Sequence, residues 1–177
     1  MSTIDDSRPL RLFGTHLVNL HAKAKAGSLD ASAHAEYERI RDDLARMLVF
    51  AQQLACRPGE KARQALRAKV ESGVKVDGSG LEGRMLDLSA GGFAAIFADA
   101  GERGTALPSG EDVTVTLALP YGSPVATRAR VVATTKAGSG LRASFAFVGL
   151  APQALARIEV CVFDQVLPQL SSLLAPQ

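Results

Sequence analysis

Val113-Thr114-Val115-Thr116-Leu117-Ala118-Leu119 alternates apolar with small or polar residues at a period of two, and Leu141-Arg142-Ala143-Ser144-Phe145-Ala146-Phe147 repeats the pattern. That period sends successive side chains to opposite faces, so each stretch reads as a strand with one buried side. Val74 to Val76, Leu81 to Leu88, Phe93 to Phe97 and Val125 to Ala133 read the same way. Turns rich in Gly, Pro and Ser separate them: Asp77-Gly78-Ser79-Gly80, Pro120-Tyr121-Gly122 and Ala137-Gly138-Ser139-Gly140. Six short strands in about 80 residues predict a small antiparallel barrel. After Pro152 a helical period returns through Leu155, Ile158, Val162 and Val166 and ends near Pro168; such a helix can close a barrel mouth.

Working outward, residues 1 to 60 hold no alternation and are rich in Ala, Leu, Arg and Glu, all good helix formers. Two helices fit, one from about Pro9 to Ala26 and one from about Asp30 to Cys56, with Gly27-Ser28 between them and Pro58-Gly59 as a stop. The fold class is therefore α+β: a helical module over residues 1–58, then a six-stranded barrel with its closing helix over residues 59–177. In the second helix Tyr37, Ile40, Leu44, Met47, Ala51 and Leu54 form a seam with alternating spacings of three and four. Two readings stay open: the seam packs on its hairpin partner or the following domain, or it pairs two chains as a homodimer through residues 30–56.

Composition bounds the function. The 177 residues carry 20 Lys and Arg against 18 Asp and Glu, for a formal charge of +2, with 47% apolar residues. That balance suits a globular protein with one real core and leaves no concentrated basic excess for duplex nucleic acid. Any anion site must be local. Cys56 and Cys161 are too few for a disulfide framework or a paired zinc motif, and both read as small buried apolar residues. Met1 to Leu10 carries Asp5 and Asp6 where a secretory signal would be basic and then apolar, and Met47 to Ala51 is far shorter than a membrane span. A cytoplasmic location without membrane contact is expected.

Catalytic sets are scarce. His16, His21 and His34 all fall in the helical segment, and the five-residue step from His16 to His21 does not place two imidazoles on one helix face. No metal site is expected. Ser89 is not in a G-x-S-x-G turn and has no nearby His, and no P-loop or dinucleotide fingerprint occurs. The chain does not read as an enzyme.

Two short stretches matter together: Arg63-Gln64-Ala65-Leu66-Arg67, within the basic run Lys61 to Lys69, and Asp87-Leu88-Ser89-Ala90-Gly91-Gly92. The first precedes the predicted barrel; the second follows its second strand. An R-x-x-x-R pair is expected about once by composition, whereas D-x-S-x-x-G is expected about 0.06 times, and their order lowers the joint odds further. Over residues 61 to 167 the arrangement resembles the PilZ domain family, a six-stranded antiparallel barrel with a C-terminal helix.

The resemblance implies a receptor for cyclic di-GMP, bound as a ligand and not as a cofactor, that passes its occupancy to a protein partner. It implies ligand contacts from Arg63, Arg67, Asp87, Ser89 and Gly92, with Gly91, Arg84, Arg128 and Arg130 as secondary candidates. The chemistry is consistent. A guanidinium pairs bidentately with guanine O6 and N7, bridges phosphate oxygens or stacks on a purine. Arg63 and Arg67 on a flexible segment would close over the ligand. Asp87 offers acceptors to guanine N1–H and N2–H, Ser89 offers a short hydroxyl, and Gly92 permits close backbone approach. Each residue also has a plainer reading: the arginines as a solvated face, Asp87 and Ser89 as turn formers with Gly91 and Gly92, and Arg84, Arg128 and Arg130 as surface charges. The family often places another Arg directly before R-x-x-x-R, where this chain has Ala62, so ligand stoichiometry is open. Two other functions compete: a PilZ-like barrel that binds no nucleotide and serves as an interaction or assembly module, and a flavin-binding split barrel.

Overall fold

The computed structural model describes residues 8–54, 64–98 and 107–174. The chain divides into a barrel unit, Ala65–Val162, and a helical unit made of Met1–Gln64 with Phe163–Gln177.

In the barrel unit the alternating stretches form strands: β1 (Arg67–Ala68), β2 (Gly73–Val76), β3 (Leu81–Ser89), β4 (Gly92–Phe97), β5 (Asp112–Leu117), β6 (Val125–Ala137) and β7 (Gly140–Val148). Hydrogen bonding runs β3-β2-β5-β6-β7-β4, and β4 pairs back onto β3, so six antiparallel strands close into a ring with no free edge. All six stretches read as strands from the sequence are strands. β6 runs four residues further than its pattern suggested, because the chain reverses only at Gly138, which has φ 62°. The two-residue β1 is new. Nine-residue β3 has room for it, pairing Leu81 to Arg84 with β2 and its last two residues with β1.

The inward faces make the core. Val74, Val76, Leu81, Met85, Leu88, Phe97, Val115, Leu117 and Val131 are buried, and the rings of Phe93 and Phe145 stack at 4.6 Å. Each such side chain stabilises the fold by about 1.5–3 kcal/mol on leaving water. One irregularity positions the motif. A strict period of two that buries Met85 would bury Asp87 and expose Leu88. A bulge between Met85 and Asp87 resets the phase, so Met85 and Leu88 both point inward and Asp87 and Ser89 lie on the outer face.

The helical unit contains α1 (Arg8–Ala26), α2 (Ala31–Leu54) and the end of α3 (Pro152–Leu174). Gly27, with φ 66°, ends α1, and the Asp30 carboxylate accepts the Ala33 N–H at 2.9 Å to cap α2. The sequence pattern ended α3 near Pro168, but the helix continues to Leu174. Pro168 removes one rung of the ladder, and buried Val166 and Leu167 just before it favour continuation. The seam on α2 is split. Tyr37 and Ile40 are buried within the unit, whereas Met47 is 66% and Leu54 72% exposed, as is neighbouring Phe50 at 60%.

On the barrel side, Ile158, Cys161 and Val162 of α3 are buried, and Arg157 donates to the carbonyl oxygen of Ser123 in the β5–β6 connection. Cys161 is fully buried, in keeping with its apolar reading. Cys56 lies outside the described residues.

Candidate functional site: the outer face of β3, β4 and β7

The second motif forms the β3–β4 hairpin. Ser89 and Gly92 face each other across the two-residue loop Ala90-Gly91. The Ser89 hydroxyl, on a residue only 4% exposed, donates to the Gly92 carbonyl at 3.0 Å. Gly92 is required by space: a Cβ there would sit 2.0 Å from the Phe145 carbonyl oxygen on the neighbouring strand. Gly91 has no such constraint, since a Cβ on it would meet nothing within 4 Å. Ser89 and Gly92 therefore have structural work in the hairpin, and Gly91 is the exposed member of the pair.

Asp87 lies opposite Ala94, and its Oδ1 accepts the Ala94 N–H at 3.1 Å. The same oxygen accepts from Arg67 Nη1 at 2.7 Å. Both side chains are partly exposed, so this is a charge-assisted bond at the surface of the barrel. Among the described residues Asp87 Oδ2 and Arg67 Nε and Nη2 have no recorded partner, leaving one acceptor and a donor pair for a ligand. The flexible segment anticipated for Arg67 is instead β1, where Arg67 pairs with Ser89 and so meets the second motif in register. Arg63 lies outside the described residues.

The registers extend this arrangement across the outer face. From Arg67 one row passes through Ser89, Gly92 and Ala146 to Arg130; the next passes from Asp87 through Ala94 and Ser144 to Ala133. The floor between Arg67 and Arg130 thus carries only Gly, Ala and Ser; Ser89, Gly92 and Ala94 on its near side are buried, Ala146 and Ser144 are half-buried, and Ala133 is exposed. Arginines ring it. Arg84 is paired with Glu71 at 3.1 Å. Arg128 and Arg130 both bond Asp112, at 2.9 and 2.8 Å. The Arg130 hydrogen bond chiefly holds the Asp112 carboxyl below the usual carboxylate range, and that bond in turn raises the Arg130 guanidinium. Arg142, two residues before Ser144 on the same face, is exposed. Sequence reading did not single it out; knowing which strands are neighbours is what finds it.

A second polar cluster also escaped the sequence reading. In the helical unit His21, 3% exposed, accepts at Nδ1 from the Tyr37 hydroxyl at 2.8 Å and donates from Nε2 to Asp164 Oδ1 at 2.9 Å; Lys25 donates to the same oxygen. Burial holds the His21 pKa below its usual value, outweighing the opposing hydrogen bond to Asp164. Burial pushes the Asp164 carboxyl up, but the hydrogen bonds from Lys25 and His21 win and hold it below the usual range. Among the described residues no group of three or more His, Cys, Asp or Glu side chains is placed to hold a metal ion. No described helix is long and apolar enough to cross a membrane.

A closed six-stranded antiparallel barrel with a D-x-S-x-x-G hairpin and arginines on its outer face is the architecture that these registers define. The chain belongs to the PilZ domain family, which it matches over residues 60–164, more than half its length. No curated protein matches it by sequence. Several solved structures share the fold, among them the following three. The Bacillus subtilis inhibitor of motility MotI/DgrA is 20% identical with a TM-score of 0.52, over 63% of this chain and 53% of that one. The PilZ domain of YcgR from Escherichia coli, solved with c-di-GMP, is 16% identical with a TM-score of 0.52, over 64% of this chain and 98% of that domain. The MrkH–c-di-GMP complex of K. pneumonia is 17% identical with a TM-score of 0.51, over 64% and 56%. This chain therefore spans only about half the length of MotI/DgrA and MrkH. PilZ domains are binding modules and not enzymes.

Proposed function

We propose that the protein is a cytoplasmic cyclic di-GMP receptor whose site is the outer face bordered by Arg67, Asp87 and the β3–β4 hairpin. The observation that carries this reading is the register that sets Arg67 opposite Ser89 and within 2.7 Å of Asp87, joining the two motifs at one edge of a small-residue floor. Arg67 contributes a guanidinium with free donors, and Asp87 orients it while keeping Oδ2 for a guanine N–H. Arg63, four residues earlier in the chain, is assigned the second guanidinium. Ser89 and Gly92 act by shaping the hairpin that presents Asp87. The MotI/DgrA, YcgR and MrkH likenesses support the barrel as a suitable scaffold, and the YcgR PilZ domain and MrkH were each solved with c-di-GMP.

The domain division at residues 58 and 59, the relay of occupancy to a protein partner and the pairing of two chains through residues 30–56 belong to the same proposal. The exposed apolar residues Met47, Phe50 and Leu54 at the end of α2 support the pairing. A second reading, a PilZ barrel that binds no nucleotide and serves assembly, is favoured by one observation: the Asp87–Arg67 pair is closed and Ser89 and Gly92 have structural roles of their own. Calorimetric titration with cyclic di-GMP, GTP and cyclic AMP in parallel separates the two. Saturable heat with the cyclic dinucleotide alone supports the receptor; none with any of the three supports the assembly module.

A further inference from the structure

The row that begins at Arg67 ends at Arg130, four strand steps away, about 19 Å along the curved surface at about 4.8 Å per step. The two edges of the floor are charged differently. At the near edge one guanidinium faces one carboxylate. At the far edge Arg128 and Arg130 share the single carboxylate of Asp112, leaving a surplus of one positive charge on side chains that are 64% and 56% exposed. Arg130 reaches Asp112 through Nε, and among the described residues its Nη groups have no recorded partner. Its paired terminal donors are therefore left for an anion.

Resting on the receptor reading above, we propose that Arg130 is a second anchoring residue for the dianionic cyclic dinucleotide, at the edge of the floor opposite Arg67, and that Asp112 is the resident counter-ion that weakens this anchor. A ligand with two phosphates and two purines has chemistry for both edges. Arg67 alone satisfies only one of them. Asp112 holds the guanidinium and opposes an incoming phosphate by like charge. Arg128 sits one row further out, opposite Val148 and Thr114 and beyond the row that contains Ala146 and Gly92, so it contributes field and not contact.

The test is calorimetric titration of the full chain with cyclic di-GMP, with thermal unfolding of each variant to check folding. Arg130→Ala is expected to weaken binding at least tenfold, Arg130→Lys to recover less than half of that loss on a logarithmic scale, and Arg128→Ala to change affinity less than threefold. Asp112→Asn, which keeps an acceptor for Nε without the charge, is expected to tighten binding about threefold, the scale of an exposed ion pair, and to have no effect in the Arg130→Ala background. Equal losses from Arg128→Ala and Arg130→Ala would reduce the effect to general field and overturn the anchor. An Asp112→Asn variant that binds no tighter would overturn the counter-ion. If Arg130→Ala binds like wild type while Arg67→Ala does not bind, this inference fails and the receptor stands; a wild-type protein that binds nothing removes the receptor itself.

Discussion

Arg67 donates to Asp87 across 2.7 Å, tying the last residue of one motif to the first residue of the other, twenty positions later in the chain. The bond depends on two local features, the bulge that turns Asp87 outward and the short strand β1 that sets Arg67 opposite Ser89. If the two side chains act as one unit on the ligand, their losses will not add. Arg67→Ala and Asp87→Ala are each expected to weaken cyclic di-GMP binding more than tenfold, and the double variant little more than either, giving a coupling energy of about 1–3 kcal/mol in a double-mutant cycle. Purely additive losses would mean that they contact the ligand independently.

Asp87 should also read the base. Its free Oδ2 suits the N1–H and N2–H edge of guanine, which adenine lacks, so the wild type is expected to prefer cyclic di-GMP over cyclic di-AMP by at least a hundredfold and Asp87→Ala to lose most of that preference. Competition titration of the two dinucleotides measures it; equal affinities for the wild type would contradict the assignment.

Ser89 and Gly92 are expected to act through the fold. Gly92→Ala forces a Cβ against the Phe145 carbonyl and should lower the melting temperature by several degrees, with ligand affinity falling alongside. Ser89→Ala removes one buried donor and should cost about 1 kcal/mol of stability. A Ser89→Ala protein as stable as wild type that nonetheless fails to bind would return Ser89 to direct ligand contact.

The buried His21 makes the helical unit sensitive to acid. Its folded pKa is depressed from 6.5, so the unfolded chain takes up a proton that the folded chain refuses. Its contribution to stability is whole above about pH 6.5 and is lost as pH falls from there toward the folded value, with a slope of up to about 1.4 kcal/mol per pH unit. Asp164 is depressed too, so its contribution disappears in the same direction but only below its unfolded value of 3.8. Unfolding monitored between pH 7.5 and 5.5 should show falling stability that His21→Gln flattens; an unchanged slope would assign the loss elsewhere.

If two chains pair through α2, the exposed end of that helix is where they meet. Met47→Asp with Phe50→Asp should give a monomer by light scattering while leaving dinucleotide affinity within a few fold, since neither residue is in the barrel. A wild-type chain that is already monomeric removes the pairing.

The strands, the two N-terminal helices and the hairpin were legible because local periodicity and turn residues encode them. In β7, for example, Leu141, Ala143 and Phe145 announce the inner face by alternation alone. What stayed hidden depends on contacts between distant segments. The phase reset at Asp87 is invisible to a period count. Strand β1 is too short to show a period and exists only by pairing with the end of β3. Arg142 is an ordinary surface residue until the sheet order places it beside Ser144, and His21 looked isolated because its partners lie 16 and 143 positions away. The halves of the α2 seam are alike in sequence, and only packing separates buried Tyr37 from exposed Leu54.

The most direct test of the account is calorimetric titration of cyclic di-GMP into the wild-type chain and into Arg63→Ala and Arg67→Ala, each first checked for a wild-type melting transition. The account predicts saturable binding by the wild type and a loss of more than tenfold in each variant, as expected when a charge-assisted partner worth about 1.5–3 kcal/mol is removed. Folded variants that bind as tightly as wild type would contradict it.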